Sequence, residues 1–221
     1  MPKLRLAASC VLALGGAAAM ISALPLGAQP AMPVPGSRST AAISGGTYQA
    51  DAAHTLVSWR VDHFGFSSYT GLFGNITGTL MLDPAKPAAA KVDVSIPVAE
   101  VTTANAGLTA HLLRAPKEAG AKADFFGAAP APARFVSTRV QPLGKGRALI
   151  IGNLTLNDVT RPVTLITKFY GAGKMPAMMG GKENVGFEAT ATIKRSEFGV
   201  AYAIPLVSDA VTLNIAAAFT K

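Results

Sequence analysis

Apolar and polar residues alternate along most of the chain after residue 46. The clearest alternations cover residues 91–98, 187–194 and 211–220, and weaker ones cover 54–63, 71–83, 134–143, 147–157 and 162–170. A period of two places successive side chains on opposite faces of a strand. The pattern therefore predicts eight strands, with residues 47–50 as a short additional one.

The connections between these strands are mostly short, and turn residues such as Asp83-Pro84 and Asn157-Asp158 mark several of them. Sequential strands with short links favour an up-and-down antiparallel sheet, which removes its exposed edges by closing. Closure at about eight strands leaves an interior wide enough for side chains or for one slender ligand. We predict an all-β fold, an eight-stranded antiparallel barrel.

One helical excursion interrupts this β pattern. Residues 104–116 place leucines at helical spacing, with Asn105 as an N-cap and Pro116 as a stop. Residues 121–128 resemble a second short helical turn. The long connection 171–184 contains three methionines, which either cap an apolar opening or belong to a surface loop.

The N-terminus has the features of a secretory signal peptide over residues 1–28. A basic start precedes an uncharged run from Leu6 to Leu24, and small residues follow up to Ala28. We expect cleavage after Ala28; cleavage after Ala23 or Ala31, or a retained membrane anchor, stays open.

The remaining chain divides into a flexible linker, 29–46, rich in Pro, Gly and Ser, and a folded domain, 47–221. Cys10 is the one cysteine, so cleavage leaves a mature chain without thiols. Export without disulfides fits a bacterial periplasm, and we predict a periplasmic location.

Charge limits the classes of partner. Removing residues 1–28 takes away Lys3 and Arg5, which leaves 18 basic and 12 acidic residues and a net charge of +6. Basic clusters interleaved with aromatic residues, as expected for nucleic-acid binding, do not occur. We predict no nucleic-acid partner, while transient contact with an anionic membrane surface stays open.

Catalytic motifs are missing, and three histidines remain as candidates: His54, His63 and His111. On one regular strand, His54 and His63 would face opposite sides. A metal site needs three or more converging ligands. We predict no metal, no cofactor and no enzyme activity, with a lipid-modifying enzyme that has a histidine-containing polar site as the alternative.

Three side chains that can donate hydrogen bonds are candidates to contact a polar ligand head at the barrel mouth. His111 and Arg114 lie in the helical segment, and Arg195 lies at a strand end. Arg suits phosphate because its planar fork donates two parallel hydrogen bonds. The alternative is structural: a helix packed by its leucines, and Arg195 paired with an acid such as Asp209.

Short motifs along the domain resemble, in their order, those of the YceI-like family of periplasmic lipid- or polyisoprenoid-binding proteins. They include Asp51-Ala52-Ala53-His54, Val61-Asp62-His63-Phe64-Gly65, His111-Leu112-Leu113-Arg114, Asp124-Phe125-Phe126 and Lys194-Arg195-Ser196-Glu197-Phe198-Gly199. The resemblance implies a lipocalin-like barrel that holds an isoprenoid-type chain, and it is compatible with a homodimer. Residues 116–123 lengthen one step of the pattern.

These observations predict a carrier for a long apolar lipid, such as a polyisoprenoid or an isoprenoid quinone. The predicted lumen-facing residues are Val57, Trp59, Val61, Val94, Ile96, Phe187, Ile193, Leu213 and Ile215. A ligand-free, stress-related interaction module, its barrel filled by its own side chains, is a further alternative.

Overall fold

The computed structural model describes residues 33–118 and 120–221, and in this part of the chain eleven strands form one antiparallel sheet. The predicted signal peptide, residues 1–28, lies outside the described residues. The strands are β1 Gly46–Ala50, β2 Leu56–His63, β3 Ser67–Phe73, β4 Thr77–Leu82, β5 Lys91–Ile96, β6 Thr102–Thr103, β7 Ala133–Gly144, β8 Arg147–Leu156, β9 Val159–Lys174, β10 Glu183–Lys194 and β11 Ala210–Thr220. Short 3-10 helices cover Thr40–Ala42, Pro87–Ala89, Val98–Glu100, Ala177–Met179 and Arg195–Phe198.

The sheet closes into a barrel of eight strands, because three of those eight are broken in two. Strands β1 and β2 both pair with β11, through Ala50 opposite Phe219 and Trp59 opposite Leu213. Strands β3 and β4 form the next broken strand, and β5 and β6 the third. The predicted fold class is confirmed, and the short additional strand proves to be the first half of the first barrel strand.

The three breaks occur in neighbouring strands, at residues 51–55, 74–76 and 97–101. Asn75 adopts a φ of 51° at the second break, and its side chain donates to the Glu100 carboxylate at the third. The alternation over 71–83 predicts one unbroken strand, and that over 91–98 predicts a strand that stops before β6. These breaks depend on contacts between strands, which a single-strand pattern does not contain.

The helical excursion holds α1, Ala106–Leu112, which begins where the Asn105 side chain accepts a hydrogen bond from the Leu108 N–H at 2.9 Å. The predicted N-cap is confirmed. The second helical turn, predicted over 121–128, is wrong: those residues form bends, held where the Phe126 N–H donates to the Leu112 carbonyl at 3.0 Å. Among the described residues, no helix has the length and apolarity needed to cross a bilayer.

The described part of the predicted linker packs against the barrel. Ser37 and Ala172 exchange two main-chain hydrogen bonds of 2.9 and 2.8 Å. Gly173 permits this close approach, since an added Cβ would lie 2.1 Å from the Pro35 oxygen. Ile43 packs beside the core residues at the same end of the barrel. Residues 33–45 therefore do not form a flexible linker.

Candidate functional site

A cavity of about 940 Å³ runs through the barrel. It extends from the base, the end where β1 begins and β11 ends, to the mouth, the end that carries the β2–β3 turn and α1. Ile43 and Pro84 line it at the base, and Phe64 and Tyr202 line it at the mouth. Its volume lies at the upper end of the range found for small-molecule sites.

The cavity wall is made by one face of each strand. In β11 the inward residues Leu213, Ile215 and Ala217 line the cavity, whereas Asn214 and Ala216 between them are exposed. All nine residues predicted to face the lumen line the cavity: Val57, Trp59, Val61, Val94, Ile96, Phe187, Ile193, Leu213 and Ile215. Their contact with a ligand stays a prediction.

The barrel's own side chains leave this interior hollow. Each of the nine lumen residues is only partly buried although it points inward. Two glycines let large rings lie flat against the wall: an added Cβ would lie 2.1 Å from the Trp59 ring at Gly71, and 2.4 Å from the Phe135 ring at Gly152. The lumen is therefore free to take a slender apolar molecule.

Two polar atoms on this apolar wall have no hydrogen-bond partner within the described residues. They are the Trp59 Nε1 and the Thr167 Oγ1, and the Thr167 side chain is buried. An unpaired buried polar group is costly, so a polar atom of a ligand, or a water molecule, would satisfy them. Thr167 is not among the predicted site residues; its inward position in the predicted strand 162–170 is the signal that marks it.

At the mouth, His111 and Arg114 converge on one carboxylate, that of Asp124. His111 Nε2 lies 2.9 Å and Arg114 Nη2 lies 2.7 Å from its Oδ2. These hydrogen bonds, the one from His111 above all, hold the pKa of Asp124 below its usual range. The His111 ring packs edge-on against Phe125 and Tyr202 and lines the cavity.

Because both side chains contact Asp124, each already has a hydrogen-bond partner within the protein. The pairing with Asp124 is not predicted from the sequence, since it depends on the loop between α1 and Asp124. Contact of His111 and Arg114 with a ligand head stays a prediction.

Arg195 is buried at the mouth, and its guanidinium is enclosed by backbone. It donates at 2.8–3.1 Å to four main-chain carbonyls, those of Val200, Tyr202, Val207 and Ser208. The expected structural partner was wrong: the Asp209 carboxylate accepts from Ser196, and the ion pairs of the described residues do not include Arg195. Its contact with a ligand head also stays a prediction.

The other two histidines have different surroundings. His54 is exposed in the turn after β1, where its Nδ1 lies 2.7 Å from the Asp51 carboxylate. His63 ends β2 and lines the cavity. In the described chain, no three His, Cys, Asp or Glu side chains are grouped closely enough to hold a metal ion. The methionines of the β9–β10 connection, among them the exposed Met178 and Met179, are not part of the cavity lining.

Comparison with known proteins identifies the family. The YceI-like domain matches residues 48–219, which span the whole barrel. The chain belongs to the YceI-like family. A UPF0312 protein of Pseudomonas putida strain W619 is 36% identical over 151 residues, covering 68% of this chain and 73% of that protein.

Two solved structures share the barrel fold. BcnA of Burkholderia cenocepacia superimposes with a TM-score of 0.62 at 24% identity, covering 76% of this chain and 98% of BcnA. A polyisoprenoid binding domain from Saccharophagus degradans superimposes with a TM-score of 0.55 at 12% identity, covering 78% and 97%. At these identities the likeness shows the YceI-like fold.

Proposed function

We propose that this YceI-like protein is a carrier that holds a long apolar lipid chain, a polyisoprenoid, an isoprenoid quinone or a similar amphiphile, along the barrel lumen. The observation that carries the proposal is the cavity: about 940 Å³ of open space with an almost wholly apolar wall. The structural neighbour described as a polyisoprenoid binding domain supports the choice of ligand class.

The physical driving force is removal of the chain from water. Each buried methylene contributes about 0.8 kcal/mol, so ten of them contribute about 8 kcal/mol, which corresponds to a micromolar Kd before ordering costs. A preformed, partly accessible wall keeps those costs small, because residues such as Leu213 and Ile215 need not rearrange. Binding of this kind needs no catalytic group.

The carrier is proposed to work in the periplasm after export. The signal-like residues 1–28 and the absence of cysteine from the rest of the chain support this location. Fractionation of the host and mass measurement of the mature N-terminus test it. A protein that starts at Met1 in the cytoplasmic fraction would contradict it.

An enzyme acting on the bound lipid is the second candidate. The His111–Asp124 pair beside the cavity favours it, since a carboxylate that orients a histidine is a common catalytic arrangement. Incubation of the extracted lipid with the purified protein distinguishes the two functions: the carrier returns the lipid unchanged, and the enzyme changes its mass.

The decisive experiment is identification of the bound molecule. The protein is purified from its own host without detergent, weighed by native mass spectrometry and extracted with solvent. We expect a co-purifying long-chain lipid. A matched pair of variants controls for surface adsorption: Ala217→Trp fills the lumen, and Ala216→Trp adds the same side chain outside.

The lumen variant should lose the lipid and the outer variant should keep it. A wild-type protein that yields its bare mass and no extractable lipid would overturn the carrier assignment.

A further inference from the structure

The outer face of β7, β8 and β9 is strongly basic. Residues 134–182 contain eight basic side chains and one acidic one, Asp158. Five of them are exposed on the outer side of these strands or in the β7–β8 turn: Arg134, Arg139, Lys145, Arg147 and Lys168. Arg161 lies opposite the cavity-lining Leu154, and Lys174 shares a face with the buried Ala172, so these two do not belong to the outer face. Because these strands are neighbours in the sheet, the five residues form one positively charged surface, which we call the basic face.

The charges on the basic face are mostly not neutralised within the protein. Arg134 pairs with Asp93, and the ion pairs of the described residues include none of the other four. Arg147 lies directly opposite Lys168 across β8 and β9. Like charges directly opposite destabilise a sheet. The nearest acid in register is Glu188 on β10, which neighbours Lys168 outside ion-pair distance.

Exposed apolar side chains lie among these charges. Ile166 is 52% exposed and Tyr170 is 61% exposed, and both flank Lys168 on the outer side of β9. Their outward direction follows from the alternation, since Thr167 and Phe169 between them line the cavity. Basic groups mixed with aliphatic and aromatic groups are typical of surfaces that lie in the headgroup region of a bilayer.

The cavity reaches the protein surface beside the basic face, at a position that we call the opening. Strand β5 pairs with β7 only as far as Val136, and beyond that point the 3-10 helix Pro87–Ala89, not a strand, packs beside β7. There Pro142, Gly144 and Arg147 are exposed and also line the cavity. A lipid chain that leaves the lumen at this opening would enter the surface on which the basic face docks.

We propose that the basic face docks on a bilayer containing anionic phospholipid, and that the ligand chain passes between bilayer and lumen at the adjoining opening. The second half rests on the proposed carrier function. The charge of the face complements an anionic membrane. Ile166 and Tyr170 fit the interfacial region, and a second copy of the chain would present the same repelling charge.

Vesicle sedimentation tests the docking. Vesicles of phosphatidylglycerol and phosphatidylcholine in equal parts should bind the protein, and pure phosphatidylcholine vesicles should bind it far less. The double variant Arg147→Gln/Lys168→Gln should bind roughly 25-fold more weakly, since each basic group near an anionic surface contributes about a factor of five. The control variant Lys117→Gln/Lys194→Gln removes the same charge at the mouth and should bind like the wild type.

A second variant probes the apolar contribution. Ile166→Ser/Tyr170→Ser should weaken the vesicle binding that survives at high salt, because salt screens charges and leaves apolar insertion intact. Thermal unfolding of each variant checks that the barrel is folded.

Three outcomes would overturn the docking proposal: equal loss in the face and control variants, comparable face-dependent binding of duplex DNA, or a dimer that the face variant dissociates. Solvent extraction of the same wild-type protein separates the two proposals. Lipid in the extract without vesicle binding refutes docking alone, and vesicle binding by a protein whose extract contains no lipid refutes the carrier alone.

Discussion

Two adjacent alanines of β11 allow a sharp test of the lumen. Ala217 lines the cavity and Ala216 lies on the outside of the same strand. We predict that Ala217→Asn weakens binding of a long-chain lipid, whereas Ala216→Asn leaves it unchanged. The two variants carry the same chemical change one residue apart. A difference in their lipid affinity therefore arises from the side of the barrel wall on which the new amide lies.

The size of the effect follows from desolvation of the new amide. Without a ligand, water can solvate the amide that Ala217→Asn places in the lumen. A hydrocarbon chain removes that water, and an amide buried without a partner costs about 1–3 kcal/mol in proteins. Binding should therefore weaken by roughly 5- to 150-fold.

The chain supplies its own reporter for this measurement. Trp59 is the only tryptophan, and its ring lines the cavity. A stearic acid with a nitroxide near its methyl end should quench Trp59 emission on binding, and its titration gives the Kd of each variant. Equal Kd values for the two folded variants, or a wild type whose emission the probe does not quench, would refute a hydrocarbon chain in the lumen.

Three further predictions concern stability and the wall. The pKa of Tyr48 is raised to about 12, chiefly by burial, so the absorbance of its phenol should titrate near pH 12; stability should fall between pH 10 and 12, where the unfolded phenol ionises first. Hydrogen bonds lower the pKa of Asp124, so its stabilising contact with His111 should be present above the usual Asp range and lost as pH falls through the lowered value; Asp124→Asn should remove this acid dependence of thermal unfolding. Gly71→Ala should displace the Trp59 ring, change its emission and cost about 1–3 kcal/mol in denaturant unfolding; unchanged emission would contradict the flat-ring geometry.

The sequence predicts the barrel wall well because alternation is a local property. To predict that Val94 and Ile96, or Leu213 and Ile215, point inward requires only that one face of each strand be apolar. The same locality explains the failures. Pro97 marks the end of β5, because proline cannot donate a hydrogen bond to the ladder, but nothing within residues 97–101 states that the strand resumes as β6.

The polar parts of the candidate site were harder to predict for a related reason. Asp124 joins His111 across a loop, and four carbonyls enclose Arg195. A charged side chain has no periodic signature, so its partner can be any group that the fold brings near. The sequence therefore identified the cationic residues and not what they bind.

The hollow interior itself depends on where the glycines lie. A barrel of eight strands is narrow enough to be filled by side chains, and rings as large as those of Trp59 and Phe135 would fill it. Gly71 and Gly152 let both rings lie against the wall, so the same aromatic surface that would plug a solid barrel lines an open one. A side chain at either position would meet the ring and would displace it from the wall towards the lumen. The two glycines are therefore the feature by which sequence alone could separate a carrier from a filled barrel of the same strand pattern.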